Sequence, residues 1–218
     1  MKYVFGKPWP PGRRELTLVC LPDLSRTTVA GWSPLARLVD GVQVLAKQYG
    51  LTPVPDASLH LTIQPVDHLR LDAPPIDHLS VKLLVKELKD QLRDWSAFSL
   101  MVNPIISRTG VMLDTHPAHP FDHLVDDVRY AISTVFGAES ITYDTRPGHV
   151  SIVTAPRDMD TDDFTSALRQ IRPSHTDMTV QNLALAWVSQ NIPAGCYTIE
   201  VVERFELTGP AEQPGKKG

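Results

Sequence analysis

Residues 60–63 read His-Leu-Thr-Ile, and residues 149–152 read His-Val-Ser-Ile. On a β-strand successive side chains point to opposite faces. His60 and Thr62 then share one face, with Leu61 and Ile63 on the other. His149 and Ser151 stand in the same relation to Val150 and Ile152. Each segment offers an imidazole and a hydroxyl side by side, backed by apolar residues. Two such segments facing one cleft supply two acid/base groups and two hydroxyl donors around a single anion. Metal-free cleavage of a phosphodiester needs that set of groups. One His-x-Thr means little alone. The weight lies in the pair, since both copies have apolar neighbours and both follow a loop with Pro or Gly (Pro55; Pro147-Gly148).

The surrounding pattern mixes helices and strands. Residues 15–21 read as a buried strand closed by Pro22. Ser33 reads as a helix N-cap with Pro34 at the first helical position. Apolar residues at 35, 38, 39, 42 and 45 follow, and Gly50 supplies a stop. A strand at 58–66 holds the first motif, Pro-rich residues 72–76 form a linker, and 77–93 is a helix. Strands at 97–103 and 108–114 come next, then a helix over 120–136 and a weak strand near 140–143. The second motif lies in a strand at 148–154. A helix at 160–171 and strands at 179–189 and 196–207 complete the series. The expected fold is α+β: two pseudo-symmetric lobes of mostly antiparallel sheet plus helices, each giving one motif strand to a central groove. Residues 1–208 form one bilobal domain. The tail 209–218 has nothing to bury and is expected to be disordered.

The chain has 218 residues and a net charge of −4, which excludes a generally basic nucleic-acid binder. The charge is uneven: residues 1–110 hold 13 lysines and arginines against 10 acids, and residues 111–218 hold 8 against 15. That balance suits a small nucleotide or an RNA end as partner, not a long duplex. No segment approaches a membrane span, and the first residues lack the apolar stretch of a signal peptide. Cys20 and Cys196 do not make a disulfide framework. The expected setting is the cytoplasm, and the expected state is a monomer.

The paired motifs resemble those of the 2H phosphoesterases, the superfamily of bacterial 2′-5′ RNA ligase-like proteins and cyclic phosphodiesterases. Leu21-Pro22 at the end of the first strand, and Ser189–Leu207 with Gly195 and Tyr197, fit the same resemblance. It spans residues 15–207. Two departures are visible: Ser151 stands where many members have Thr, and Gln64-Pro65 replaces a Gly-containing turn. The resemblance implies two lobes around a groove and metal-independent chemistry on 2′,3′-cyclic phosphates or 2′-5′ phosphodiesters, with no cofactor. His60 and His149 would be the catalytic acid and base, in either assignment, and Thr62 and Ser151 would bind phosphate. A nucleotide-binding sensor without catalysis is the alternative.

Other residues offer weaker signals. Arg146 could meet a phosphate or a base. Tyr143, Tyr197 and Trp187 could stack on a nucleobase or pack in the core. Arg108, opening a strand of the first lobe, could enter the groove or end in solvent. His116, His119 and His123 have spacings that can suit a metal, but Pro117 and Pro120 keep them off one regular helical face, and no metal is expected. Asp67-His68 reads as loop. Two imidazoles at one site titrate as a coupled pair, which predicts a bell-shaped pH dependence of turnover. A rate rising steadily from about pH 5 to about pH 9 would count against two-histidine acid/base chemistry.

Overall fold

The computed structural model describes residues 1–4, 8–26, 32–66, 76–117 and 119–209. In chain order the elements are β1 (Arg14–Cys20), α1 (Pro34–Gln48), β2 (Thr52–Pro53), β3 (Leu61–Pro65), α2 (His78–Gln91), β4 (Phe98–Ile106), β5 (Gly110–His116), α3 (His119–Phe136), β6 (His149–Thr154), α4 (Asp162–Leu168), β7 (Thr176–Val180), β8 (Asn182–Asn191) and β9 (Cys196–Glu206). Local chemistry sets several of the boundaries. The Ser33 hydroxyl accepts from the Ala36 amide at 3.1 Å, and Asp77 accepts from Ser80 at 2.7 Å; both satisfy amides that the first helical turn leaves free. Gly50, at φ +71°, turns the chain out of α1.

All strand pairings are antiparallel, and the order is β7-β4-β5-β6-β3-β1-β8-β9, with β2 beside β6. The sheet is two groups, β7-β4-β5-β6 and β3-β1-β8-β9. Each motif strand is the inner member of its group. The two groups meet at one register position, Leu61 opposite Val150. The expected α+β, two-lobed architecture is present, but the lobes are not sequential halves. The first-motif lobe takes its outer strands from the C-terminus, and β4 and β5 belong with the second motif.

The helices cross between the lobes. α1, from the N-terminal part of the chain, packs on β6 and β7, while α3 packs on β3 and α2 pairs with α3. Gln43 of α1 donates to the carbonyls of Val54 and Ile152 at 2.8 and 3.1 Å, fastening the helix to β6. One contiguous core fills the space between sheet and helices, with Leu61, Ile63, Val150 and Ile152 all within it.

Several expected elements differ. The strand predicted at 140–143 is absent: Ala138–Ser140 make a 3-10 turn and residues 141–147 are irregular. The run predicted as a strand at 179–189 spans two strands in different lobes, β7 and β8, with only Gln181 between them. The first-motif strand begins later than predicted, because Asp56–Ser58 form a 3-10 turn. Gly209 is held, its amide donating to Trp95 at 2.9 Å and its carbonyl accepting from Ser96 at 2.9 Å. The rest of the predicted tail, 210–218, lies outside the described residues, as do most of the predicted linker and Asp67-His68. Among the described residues no helix is long and apolar enough to cross a membrane.

β5 and β6 approach so closely at Gly110 that a Cβ there would stand 1.8 Å from the Val153 carbonyl oxygen. Gly110→Ala must therefore push a motif strand aside. The expected cost is about 3 kcal/mol, measured as a lower midpoint in thermal or denaturant unfolding; an unchanged midpoint would contradict this packing.

Candidate active site

The register at Leu61 and Val150 builds the site. Carried one residue either way, it sets His60 opposite Ser151 and Thr62 opposite His149. These four alternate with the core-facing pair, so all four stand on the same face. Each histidine thus faces the hydroxyl of the other motif, and the two imidazoles lie on a diagonal. Only that one position is paired, so the strands part on either side of it and both imidazoles border the space between them. All four residues line one cavity of about 610 Å³, a size that suits a nucleotide.

Both motif strands carry the same irregularity. Leu18 faces Gln64 and Val19 faces Thr62, so Ile63 is an extra residue on β3. Val111 faces Val153 and Met112 faces Ser151, so Ile152 is an extra residue on β6. Each bulge falls at the fourth motif position, directly after the hydroxyl residue. A bulge bends its strand and re-aims the neighbouring side chains. Here it seats an isoleucine in the core directly after each hydroxyl residue. Ile63 and Ile152 are both fully buried.

Beyond the single shared position the motif strands part. The segment before β6 then takes over as partner of β3: the Thr145 hydroxyl donates to the Ile63 carbonyl at 2.6 Å, and the Gln64 amide donates to the Tyr143 carbonyl at 3.0 Å. Gln64 thus tethers the loop that rims the cavity. Gly148 brings the second motif in tightly, since a Cβ there would stand 2.8 Å from the Phe121 ring and 3.0 Å from Leu61. On the opposite side, the β8–β9 turn closes the cavity. The Thr154 hydroxyl of the other lobe donates to the Gly195 carbonyl at 3.0 Å.

The two histidines are not equivalent. Nδ1 of His60 lies 2.8 Å from the Ser58 carbonyl. A carbonyl can only accept, so Nδ1 carries the proton and Nε2 keeps its lone pair when the ring is neutral. Burial lowers the His60 pKa below the ordinary histidine value; the Ser58 carbonyl partly opposes this, and the nearby His149 adds to the lowering. The Tyr197 ring meets His60 edge-on, centroids 6.1 Å apart. His149 has Asp114 as its β5 register partner, and Asp114 contacts His116 at 3.2 Å.

Of the weaker candidates, Tyr143 and Tyr197 line the cavity, and Arg146 and Arg108 do not. Arg146 is engaged by Asp144 and Asp126, at 2.9 and 3.1 Å. Arg108 is exposed in the β4–β5 turn, in the lobe of the second motif rather than the first. Trp187 also stands away from the cavity, with the Arg14 guanidinium over its ring at 4.6 Å. His116 ends β5, whereas His119 and His123 share α3 with rings stacked 6.3 Å apart. Pro120 is tolerated there because the first turn needs no amide donor from it. Among the cavity residues that went unnoticed in the sequence are Trp9 and Glu15. Glu15 alternates with Thr17 on the cavity face of β1, a signal visible in the strand. Trp9 lies in a Pro-rich run without periodicity and gives none.

No family model and no curated protein matches the sequence. Solved structures do match the fold. The protein TT0787 of Thermus thermophilus aligns with a TM-score of 0.63 at 15% identity, over 89% of this chain and 98% of that one. A structure described as a phosphoesterase gives 0.57 at 14% identity, over 90% and 99%. E. coli LigT complexed with ATP gives 0.55 at 14% identity, over 89% and 98%, and LigT is also similar in complexes with 3′-AMP and with phosphate. In fold, this chain stands with LigT and with the 2H phosphoesterases whose paired motifs its sequence resembles.

Proposed function

We propose that this chain is a metal-independent phosphoesterase of the 2H type, acting on a 2′,3′-cyclic phosphate or a 2′-5′ phosphodiester of an RNA end or small nucleotide. The observation that carries this reading is the crossed placement of His60, Thr62, His149 and Ser151 around one nucleotide-sized cavity. The complexes of LigT with ATP, 3′-AMP and phosphate support a nucleotide or phosphate as the kind of ligand such a fold holds.

The asymmetry of the imidazoles supports one division of their roles in hydrolysis. His60, kept neutral by burial and with Nε2 unprotonated, takes a proton from water as the water oxygen attacks phosphorus. His149, as the imidazolium, gives its proton to the departing ribose oxygen. The P–O bond to that oxygen breaks, the ring opens to a monophosphate, and exchange with solvent returns both imidazoles to their starting forms. Thr62 and Ser151 donate to the non-bridging oxygens, where charge grows in the transition state. Ligation runs the same steps in reverse, with the two roles exchanged.

Turnover of 2′,3′-cyclic nucleotides or 2′-5′-linked dinucleotides should persist in EDTA. His60→Ala or His149→Ala should each lower kcat/KM by about a thousandfold, and Thr62→Ala or Ser151→Ala by about a hundredfold. Binding without turnover would favour the sensor; turnover that EDTA abolishes, or that survives loss of either histidine, would overturn the mechanism. NMR titration of the imidazole protons should place His60 below the ordinary histidine midpoint. Neutral His60 contributes stability that is present above its unfolded-state pKa and is lost as the pH falls through its lower folded value. A His60 midpoint at or above the ordinary one would remove the assignment of His60 as the base.

A further inference from the structure

One wall of the cavity is built of groups that the phosphate chemistry does not use. Trp9, Glu15, Tyr143 and Tyr197 all line it. They belong together in space. The Trp9 and Tyr197 rings are 5.9 Å apart. Burial raises the Tyr197 hydroxyl pKa, and the charges of Glu15 and Tyr143 add to that rise against the Gln190 hydrogen bond. Tyr197 in turn touches His60, so this wall begins where the phosphate site ends.

Glu15 is the odd member. Among the described lining residues it is the one acidic or basic side chain besides the histidines and tyrosines, a carboxylate in a site read as holding an anion. It cannot face phosphate. Its carboxylate is 22% exposed. Arg13 donates to its Oε1, and the Arg13 guanidinium also lies over the Trp9 ring at 4.9 Å. Arg13 thus holds the carboxylate in place beside the aromatic rings. The remaining lone pairs of Glu15 can only accept.

An aromatic wall takes a nucleobase by its face. A carboxylate at its edge then asks for donors. Guanine presents two adjacent donors, N1–H and the exocyclic N2–H, matched to the two oxygens of a carboxylate. Adenine and cytosine each set one amino donor beside a ring nitrogen that repels a carboxylate. Uracil sets one N–H between two carbonyls. Resting on the phosphoesterase reading for the position of the phosphate, we propose that Glu15 is a specificity residue that selects guanine nucleotides, with Trp9 and Tyr197 stacking on the base.

The test uses the intact protein and two readouts. The first is kcat/KM for the guanosine, inosine, adenosine, cytidine and uridine 2′,3′-cyclic phosphates. The second is calorimetric affinity for the corresponding 3′-monophosphates, which needs no turnover. Guanine should lead adenine, cytosine and uracil by tenfold or more. Inosine, which lacks the N2 amino group, should fall about tenfold below guanosine, the scale of one hydrogen bond to a charged acceptor. In Glu15→Gln the ratio of guanosine to cytidine should collapse by about tenfold or more. The wild-type preference alone decides the matter if that variant does not fold. Guanine-selective binding without turnover would keep this assignment and sink the phosphoesterase reading. Turnover with no base preference would do the reverse. Equal weakening of all bases in Glu15→Gln would place the carboxylate on the sugar and overturn the assignment, and so would the absence of both binding and turnover.

Discussion

The molecule depends on one contact between strands that otherwise part. Leu61 and Val150 are the sole register position shared by β3 and β6. Both are buried, at 0% and 1% exposure. Their side chains occupy the core face, so the residues on either side of each are turned to the cavity face. A longer pairing would bring the cross-strand neighbours together along the whole motif and leave no space between them for a ligand. A pairing lost altogether would let the two lobes slide. One shared position fixes the relative height of the motifs while leaving room above it.

The rest of the architecture keeps that contact short and fixed. Two bulges, at Ile63 and Ile152, bend the motif strands at the same point in each motif. Thr145 and Gln64 satisfy backbone groups of β3 and of the rim loop where β6 has turned away. Buried carbonyls without partners would be costly, so these side chains are conditions for the divergence rather than ornaments to it. The crossed helices act at longer range. With α1 packed on β6 and β7 and α3 on β3, each lobe rests partly on helices adjoining the other lobe's strands in sequence, which opposes separation of the two halves of the site.

The legible and illegible parts of this chain divide along physical lines. Features written in adjacent residues could be read directly. Ser33-Pro34 and Gly50 mark α1 because capping is local chemistry, and the two motifs declare a shared face because alternation is local geometry. Lobe membership could not be read. No Gly or Pro interrupts residues 179–189, yet the chain leaves one group of strands and joins another at Gln181. Hydropathy records that both strands bury apolar residues, not which neighbour each has. Arg108 falls in the unexpected lobe for the same reason, since the hairpin that carries it pairs with β6, far along the chain. The segment 141–147 carries apolar and β-branched residues, Ile141, Thr142 and Tyr143, that suit a strand. Its partners are instead the Ile63 carbonyl and the Gln64 side chain of β3, and that is a tertiary fact. Trp9 was hidden by its prolines.

The pseudo-symmetry of the motifs also explains why the histidines can differ. The strands repeat each other only from the imidazole to the bulge. Outside that span the environments are unrelated: His60 follows a 3-10 turn whose Ser58 carbonyl fixes its Nδ1 proton, and His149 follows Gly148 and stands in register with Asp114. General acid/base chemistry with two identical groups needs them in opposite protonation states at one moment. Identical surroundings would leave the choice of which group carries the proton to chance at each turnover. Burial favours the neutral form of His60, and the Ser58 carbonyl holds its proton on Nδ1. The repeated tetrapeptides put matching groups around one cavity, and the unmatched residues before them make its two sides different.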